Sequence, residues 1–111
     1  SETVMDKEGR KTVPLPEMHY MLRSVLDLPD YNKILASYVD GVLYLVIAQG
    51  RSLLLSNSFQ APDFTTAQYF IFLAMKKLQL NPEVSTISFR TPLSDEEEMS
   101  LYRYFKNVEQ V

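Results

Sequence analysis

Apolar residues in the first third of the chain recur with the spacing of a helix. Four of them stand at positions i, i+3, i+4 and i+7 and share one helical face: Met18, Met21, Leu22 and Val25. Pro16 suits the first turn of such a helix, where its missing N–H is not needed. The helix is expected to end at Leu28-Pro29, because a residue before proline avoids the α conformation.

Short apolar runs separated by turn residues follow, which is the pattern of strands. Asp40-Gly41 predicts a tight hairpin, because both central residues of a type I′ turn take positive φ. The residues from 42 to 48 are apolar throughout, which predicts a strand covered on both faces. Three strands are therefore expected, over residues 33–39, 42–48 and 53–59.

Helix caps mark the second half of the chain. Asp63 is expected to cap a helix over residues 64–78, since its side-chain oxygen can accept an N–H of the first turn. Ser94 and Glu97 have the spacing of a capping box, and the helix they begin is expected to run to about residue 106. Short strands are expected at residues 86–89 and 108–111.

The order of these elements, (α)-β-β-β-α-β-α-(β), predicts an α/β domain with a mixed sheet. Meandering strands pair antiparallel, whereas strands joined through a helix pair parallel. This is the pattern of the ribonuclease H-like fold. The expected organisation is a flexible tail over residues 1–12, an N-terminal helix and linker over 13–32, and the α/β domain over 33–111.

Composition narrows the classes of function. The chain has 11 Lys or Arg residues against 14 Asp or Glu, so its formal charge is −3, and it lacks the basic cluster that nucleic acid attracts. Because it has no cysteine, disulfides, thiolate metal sites and cysteine nucleophiles are excluded. No apolar run approaches the roughly 20 residues that span a bilayer, and no signal peptide is visible. We expect a cytoplasmic protein that binds neither nucleic acid nor membrane.

Five short motifs between residues 38 and 111 carry a family resemblance. In chain order they are Asp40-Gly41, Leu53-Leu54-Leu55-Ser56-Asn57-Ser58-Phe59, Asp63-Phe64, Leu78-Gln79-Leu80-Asn81-Pro82-Glu83 and Tyr104-Phe105-Lys106-Asn107-Val108. Their order and spacing resemble the second half of an uncharacterised Bacteroidetes family with an actin-like ATPase (ribonuclease H-like) fold. The resemblance implies a fold with two halves, of which this chain has the length of one. It implies no reaction, because the family has no established activity.

Nucleotide binding is the chemistry that an actin-like fold suggests. Such proteins hold phosphates on the turn after the first strand, and Asp40 and Gly41 occupy that turn here. The residues that follow, Val42, Leu43 and Tyr44, supply no second glycine and no lysine, serine or threonine. A structural hairpin is therefore the favoured interpretation. Asp40 and Gly41 are cofactor-binding candidates only if a nucleotide binds, and no cofactor is expected.

Catalytic groups are not expected either. A two-metal nuclease needs converging carboxylates, but the strands expected over residues 33–39 and 86–89 carry none. The acidic run over residues 95–98 is interpreted as a helix N-terminus, which favours negative charge. His19, the only histidine, has no carboxylate at i±4, and the polar cluster at residues 56–58 has no accompanying base. We predict a non-enzymatic chain with no metal site.

The helix over residues 64–78 is apolar around nearly its whole circumference. At about 100° per residue, one stripe that can cover the sheet contains Phe64, Ala67, Ile71, Ala74, Met75 and Leu78. Four more apolar side chains lie outside that stripe: Tyr69, Phe70, Phe72 and Leu73. A helix apolar on all sides needs cover on all sides. Either the other helices of this chain provide the cover, or a partner does.

The leading hypothesis is a non-catalytic actin-like domain that acts through protein–protein contact, with a homo-oligomer expected. Aromatic residues are enriched at interface cores, and the proposed contact residues are Tyr69, Phe70, Phe72, Leu73, Tyr102 and Tyr104. Tyr69 and Leu73 lying free in water with nothing against them would argue against a partner. One alternative is the ATP-binding module of a two-half actin-like ATPase. Another is a roadblock- or profilin-like scaffold, in which the first helix would lie inside the core layer.

Overall fold

The structure of the chain is a computed structural model that describes residues 15–111. The tail expected over residues 1–12 lies outside these residues. The helices and strands in chain order are α1 (Leu15–Ser24), β1 (Asn32–Val39), β2 (Val42–Gln49), β3 (Ser52–Gln60), α2 (Phe64–Lys77), β4 (Thr86–Phe89), α3 (Asp95–Tyr102) and β5 (Asn107–Gln110). Single 3₁₀ turns follow α1 and precede β4, at Val25–Asp27 and Pro82–Val84. The expected order of elements is confirmed, including the closing strand.

The strands form one five-stranded mixed sheet with the order β3-β2-β1-β4-β5. β1 pairs antiparallel with β2, and β2 with β3, as tight turns between consecutive strands require. β4 pairs parallel with β1, and β5 with β4, because α2 and α3 carry the chain back across one face of the sheet. The mixed α/β sheet expected from the sequence is therefore confirmed.

The hairpin between β1 and β2 has the expected backbone. Asp40 and Gly41 take φ values of 52° and 74°, the left-handed values that a type I′ turn requires. The turn pairs Val39 with Val42 and starts a register that runs the whole length of the two strands. Its Gly41 carbonyl accepts a hydrogen bond from the Ala61 N–H at 2.8 Å, so the connection after β3 closes over the turn.

Both expected helix caps are present. The Asp63 side chain accepts the Thr66 N–H at 2.8 Å. Ser94 accepts the Glu97 N–H while the Glu97 side chain accepts the Ser94 N–H, at 3.1 and 2.9 Å. The first four N–H groups of a helix have no backbone acceptor within it, and these side chains satisfy one donor at the start of α2 and two at the start of α3.

The last helix is shorter than expected, because α3 ends at Tyr102 rather than near residue 106. The Phe105 N–H still reaches back to the Leu101 carbonyl, but the next N–H does not continue the helix. The N–H of Lys106 donates instead to the carbonyls of Pro82 and Ser85, at 3.1 and 3.0 Å. These bonds attach the chain to the loop before β4 and direct it into β5, so tertiary hydrogen bonding overrides helix propensity here.

The sheet has an apolar core on each face. On one face α2 and α3 cover Ile34, Leu45 and Ile87, together with the rest of a large cluster. On the other face α1 inserts Met21 and Val25, both fully buried, against a smaller cluster formed by Leu35, Tyr44, Val46 and Ala48. The first helix is thus part of the core layer, as the scaffold alternative expected, yet it accompanies the strand order of the ribonuclease H-like pattern. Burial of this helix does not distinguish the two folds, whereas strand order does.

Candidate functional site

The carboxyl ends of β1, β4 and β5 meet at one edge of the sheet, the usual place for a ligand in an open α/β fold. We call this end of the sheet the carboxyl edge; it is distinct from the two edge strands, β3 and β5. The Asp40-Gly41 hairpin leaves β1 here. The N-termini of α2 and α3 follow β3 and β4 at the same edge. The geometry therefore places the cofactor-binding candidates where a nucleotide would be sought.

The electrostatics of the carboxyl edge are unfavourable for a phosphate. Burial raises the pKa of Tyr38, and the nearby charges of Asp63 and Glu97 raise it further. The pKa of Tyr44 is raised by burial and by the charges of Glu17 and Asp40. Burial is the largest cause in both cases, and the neighbouring carboxylates add a smaller shift of the same sign, as negative charge near a tyrosine does.

The backbone donors at this edge are also engaged. The first turns of α2 and α3 bind their own capping side chains, so fewer N–H groups point outward than at an uncapped helix. The first turn of α3 adds four acidic side chains, Asp95 to Glu98. The Ala61 carbonyl oxygen lies close to Gly41: a Cβ added to Gly41 would be 3.7 Å from it. The carboxyl edge therefore consists of a tight hairpin and the capped N-termini of two helices.

A polar cluster ties α1 to the sheet. Ser37, buried in β1, donates its hydroxyl to the Glu17 carboxylate, and Arg90, just after β4, forms an ion pair with the same carboxylate. The Arg90 guanidinium also lies over the Tyr20 ring, 5.0 Å from its centroid. Burial alone would raise the pKa of Glu17, but hydrogen bonds from Arg90 and Ser37 and the Arg90 charge outweigh it, so the pKa is lowered.

This cluster positions a helix and has no free reactive group. The carboxylate of Glu17 stays ionised and paired, while Ser37 has a carboxylate as its acceptor and no base to activate it. Sequence reasoning missed the cluster because Glu17 and Arg90 are 73 positions apart, and no local motif joins them. No group of three His, Asp or Glu side chains within residues 15–111 could hold a metal ion.

Two of the proposed contact residues are covered by the chain itself. Phe70 stacks on Phe59 of β3, with ring centroids 4.8 Å apart. Phe72 packs against Tyr104 at 4.7 Å and against Phe105 at 5.9 Å. The cover that α2 needs on its flanks thus comes from β3 and from the segment after α3. Phe70 and Phe72 act mainly as core residues.

Tyr69 and Leu73 remain on the outer side of α2, one turn apart. Tyr69 is 59% exposed and Leu73 45%, although both are large and Leu73 is fully apolar. Tyr69 rests edge-on against its sequence neighbour Phe70 at 5.6 Å, and both side chains expose their outer part on α2. We call these two residues and half-exposed Tyr104, which packs on Phe72 of the same helix, the α2 surface.

Most of the other candidate residues make contacts within the chain. The Tyr102 hydroxyl donates to the Asn107 side chain at 3.2 Å and to the Val108 carbonyl at 3.4 Å, so Tyr102 is held against β5. His19 is exposed on α1, and Asn57 accepts the N–H of its neighbour Ser58.

Gln68 was not expected in the core. It is nearly fully buried on α2, and no side chain or backbone group in residues 15–111 bonds its Oε1.

None of the helices between residues 15 and 111 has the length and apolar character needed to cross a membrane. The longest, α2, has 14 residues.

A family model matches the chain over residues 15–108, from α1 to β5. Its description is "Protein of unknown function (DUF3822)". The chain belongs to the DUF3822 family. No curated protein matches this DUF3822 chain.

A solved structure confirms the fold of the DUF3822 chain. It is a Bacteroides thetaiotaomicron protein described as having an actin-like ATPase fold and unknown function, and it superposes with a TM-score of 0.71. The two share 23% sequence identity over 86% of this chain and 38% of the other. The actin-like fold and the family resemblance expected from the sequence are therefore confirmed. The DUF3822 chain spans much less than half of that protein, and its correspondence to the second half stays a prediction.

Proposed function

We propose that this chain is a non-catalytic domain of actin-like fold that acts through protein–protein contact. The observation that carries the proposal is the α2 surface, where Tyr69 and Leu73 remain exposed on a helix whose inner face is already fully packed. Isolated exposed apolar residues are common, but Tyr69 and Leu73 are one helical turn apart, and half-exposed Tyr104 packs on Phe72 of the same helix. Such a group of aromatic and apolar side chains is typical of interfaces.

Nucleotide binding is the competing proposal, and the geometry favours it less. A nucleotide at Asp40 and Gly41 would place phosphate oxygens beside the Asp40, Asp63 and Glu97 carboxylates. Arg90, the cation nearest β4's end, is paired with Glu17. Like charges disfavour a polyphosphate, and a bound Mg²⁺ would have to offset them.

The test is photo-crosslinking from position 69 in the cells that make the protein. Replacing Tyr69 with the photoreactive amino acid p-benzoylphenylalanine is expected to yield a discrete covalent adduct on illumination. The ring is exposed and would face the partner directly. The matched control carries the same amino acid at Tyr31, which is 68% exposed on the loop before β1. Adduct mass is read by gel and mass spectrometry.

A clear adduct from position 69, with little from position 31, supports contact through the α2 surface. If the two positions give equal, diffuse labelling, or position 69 gives none, the proposal is wrong. An adduct from position 31 alone would place the interface elsewhere and overturn the assignment to α2.

A further inference from the structure

The strand β3 forms a long unprotected edge of the sheet. Within residues 15–111 it pairs only with β2, and it extends for nine residues, whereas the opposite edge strand, β5, has four. Natural edges avoid pairing with other chains by being short or by carrying charges, prolines or bulges. No charged residue and no proline lies within Ser52–Gln60. The protective features in the described residues are a bulge, where the register with β2 shifts between Ile47 and Ala48, and the Asn57 side chain, which accepts the Ser58 N–H.

The hydrogen-bonding groups of β3 can be assigned to its two sides. The Ala61 N–H bonds the Gly41 carbonyl, and N–H groups in an antiparallel strand alternate in direction, so those of Asn57 and Phe59 point toward β2. Those of Ser56, Ser58 and Gln60 point outward. The Ser58 N–H accordingly finds its acceptor in the adjacent Asn57 side chain, at 2.8 Å, rather than in β2. The outer side of β3 therefore offers the N–H groups of Ser56 and Gln60 and the outward carbonyls, while the Ser58 N–H is already bound within the strand.

Apolar surface adjoins this edge at both ends. Leu53 is 53% exposed beside the bulge. At the other end Phe59 stacks on Phe70, which in turn contacts Tyr69 of the α2 surface. A strand added to β3 would thus cover the bare edge and lie next to the apolar side chains of Leu53 and Phe59.

We propose that β3 is the site of association with a second copy of this chain, by antiparallel β3–β3′ pairing about a two-fold axis. An antiparallel edge is complementary to itself, since each copy presents donors opposite the acceptors of the other. Two copies of net charge −3 repel one another, and β3 lets them meet along a segment with no charge. The two-fold axis also brings the two Tyr69 side chains to the same side of the joined sheet. This inference rests on the proposed function and names its partner.

The test is the solution mass of the full chain by size-exclusion chromatography with light scattering, from micromolar to millimolar concentration. Wild type is expected to approach twice the chain mass as concentration rises. Ser58→Pro puts a proline ring in place of the outward Ser58 N–H, which blocks strand pairing on that side and leaves the bonds to β2 in place. It should weaken association at least about tenfold while melting normally. Ser56→Lys, which adds a charge on the same edge, should do likewise. Val84→Lys adds the same charge before β4 and should associate like wild type.

Each outcome decides a different point. A wild-type chain that stays monomeric at every concentration overturns the second-copy inference, even if position 69 crosslinks to another protein and the proposed contact function stands. If Ser58→Pro and Ser56→Lys still dimerise like wild type, the copies meet elsewhere and β3 pairing is wrong. Loss of association in both edge variants, with Val84→Lys unaffected, supports β3 pairing.

Discussion

Replacing Met21 with alanine is expected to lower the free energy of unfolding by about 2–5 kcal/mol. Met21 is fully buried between α1 and the sheet, where it packs in the smaller cluster with Leu35 and Val46. Removing most of its side chain leaves a cavity that a single helix over a rigid sheet cannot close. Chemical denaturation and thermal melting measure the loss, which should lower the melting temperature by on the order of 10 °C.

The matched control is Met99→Ala, the same substitution on an exposed helical position. Met99 is 65% exposed on α3, so its truncation should change stability by less than about 1 kcal/mol. If Met21→Ala is as mild as the control, α1 is not part of the core, and the domain consists of the sheet with α2 and α3 only.

A comparison of two truncations within α2 should show an equally large contrast. Ile71→Ala is expected to cost about 2–5 kcal/mol, because Ile71 is fully buried against the sheet in the large cluster. Leu73→Ala, two positions later, removes a side chain that is close to half exposed, and should cost less than about 1 kcal/mol. Both are measured by denaturant unfolding of the purified chain.

The Leu73 result bears directly on function. A residue whose truncation barely affects the isolated fold, yet reduces crosslinking from position 69, contributes to binding rather than to folding. A Leu73→Ala loss as large as that of Ile71→Ala would instead make Leu73 a core residue and remove it from the α2 surface.

Local signals account for what the sequence predicted well. The hairpin at Asp40-Gly41 and the caps at Asp63 and Ser94 depend on residues within three positions of each other, and all three are present. The direction of strand pairing followed from the same local elements, because a tight turn gives antiparallel pairing and an intervening helix gives parallel pairing.

Non-local contacts account for what the sequence did not predict. The early end of α3 is caused by hydrogen bonds from Lys106 to Pro82 and Ser85, which no local pattern encodes. The ion pair of Glu17 with Arg90 and the self-coverage of Phe70 by Phe59 join distant segments in the same way. Helical periodicity identified α2 as apolar on all sides, but only the packing of the folded chain shows which of its side chains remain exposed.

We propose that this actin-like domain works by contact and without a nucleotide. The most direct measurement is the melting temperature of the longest natural form of the protein with and without saturating ATP and Mg²⁺, because a ligand that binds only the native state stabilises it. We predict no shift, since the carboxyl edge is acidic and its helix donors are capped. A rise of several degrees that Gly41→Val abolishes would contradict the claim and assign the Asp40-Gly41 turn to nucleotide binding.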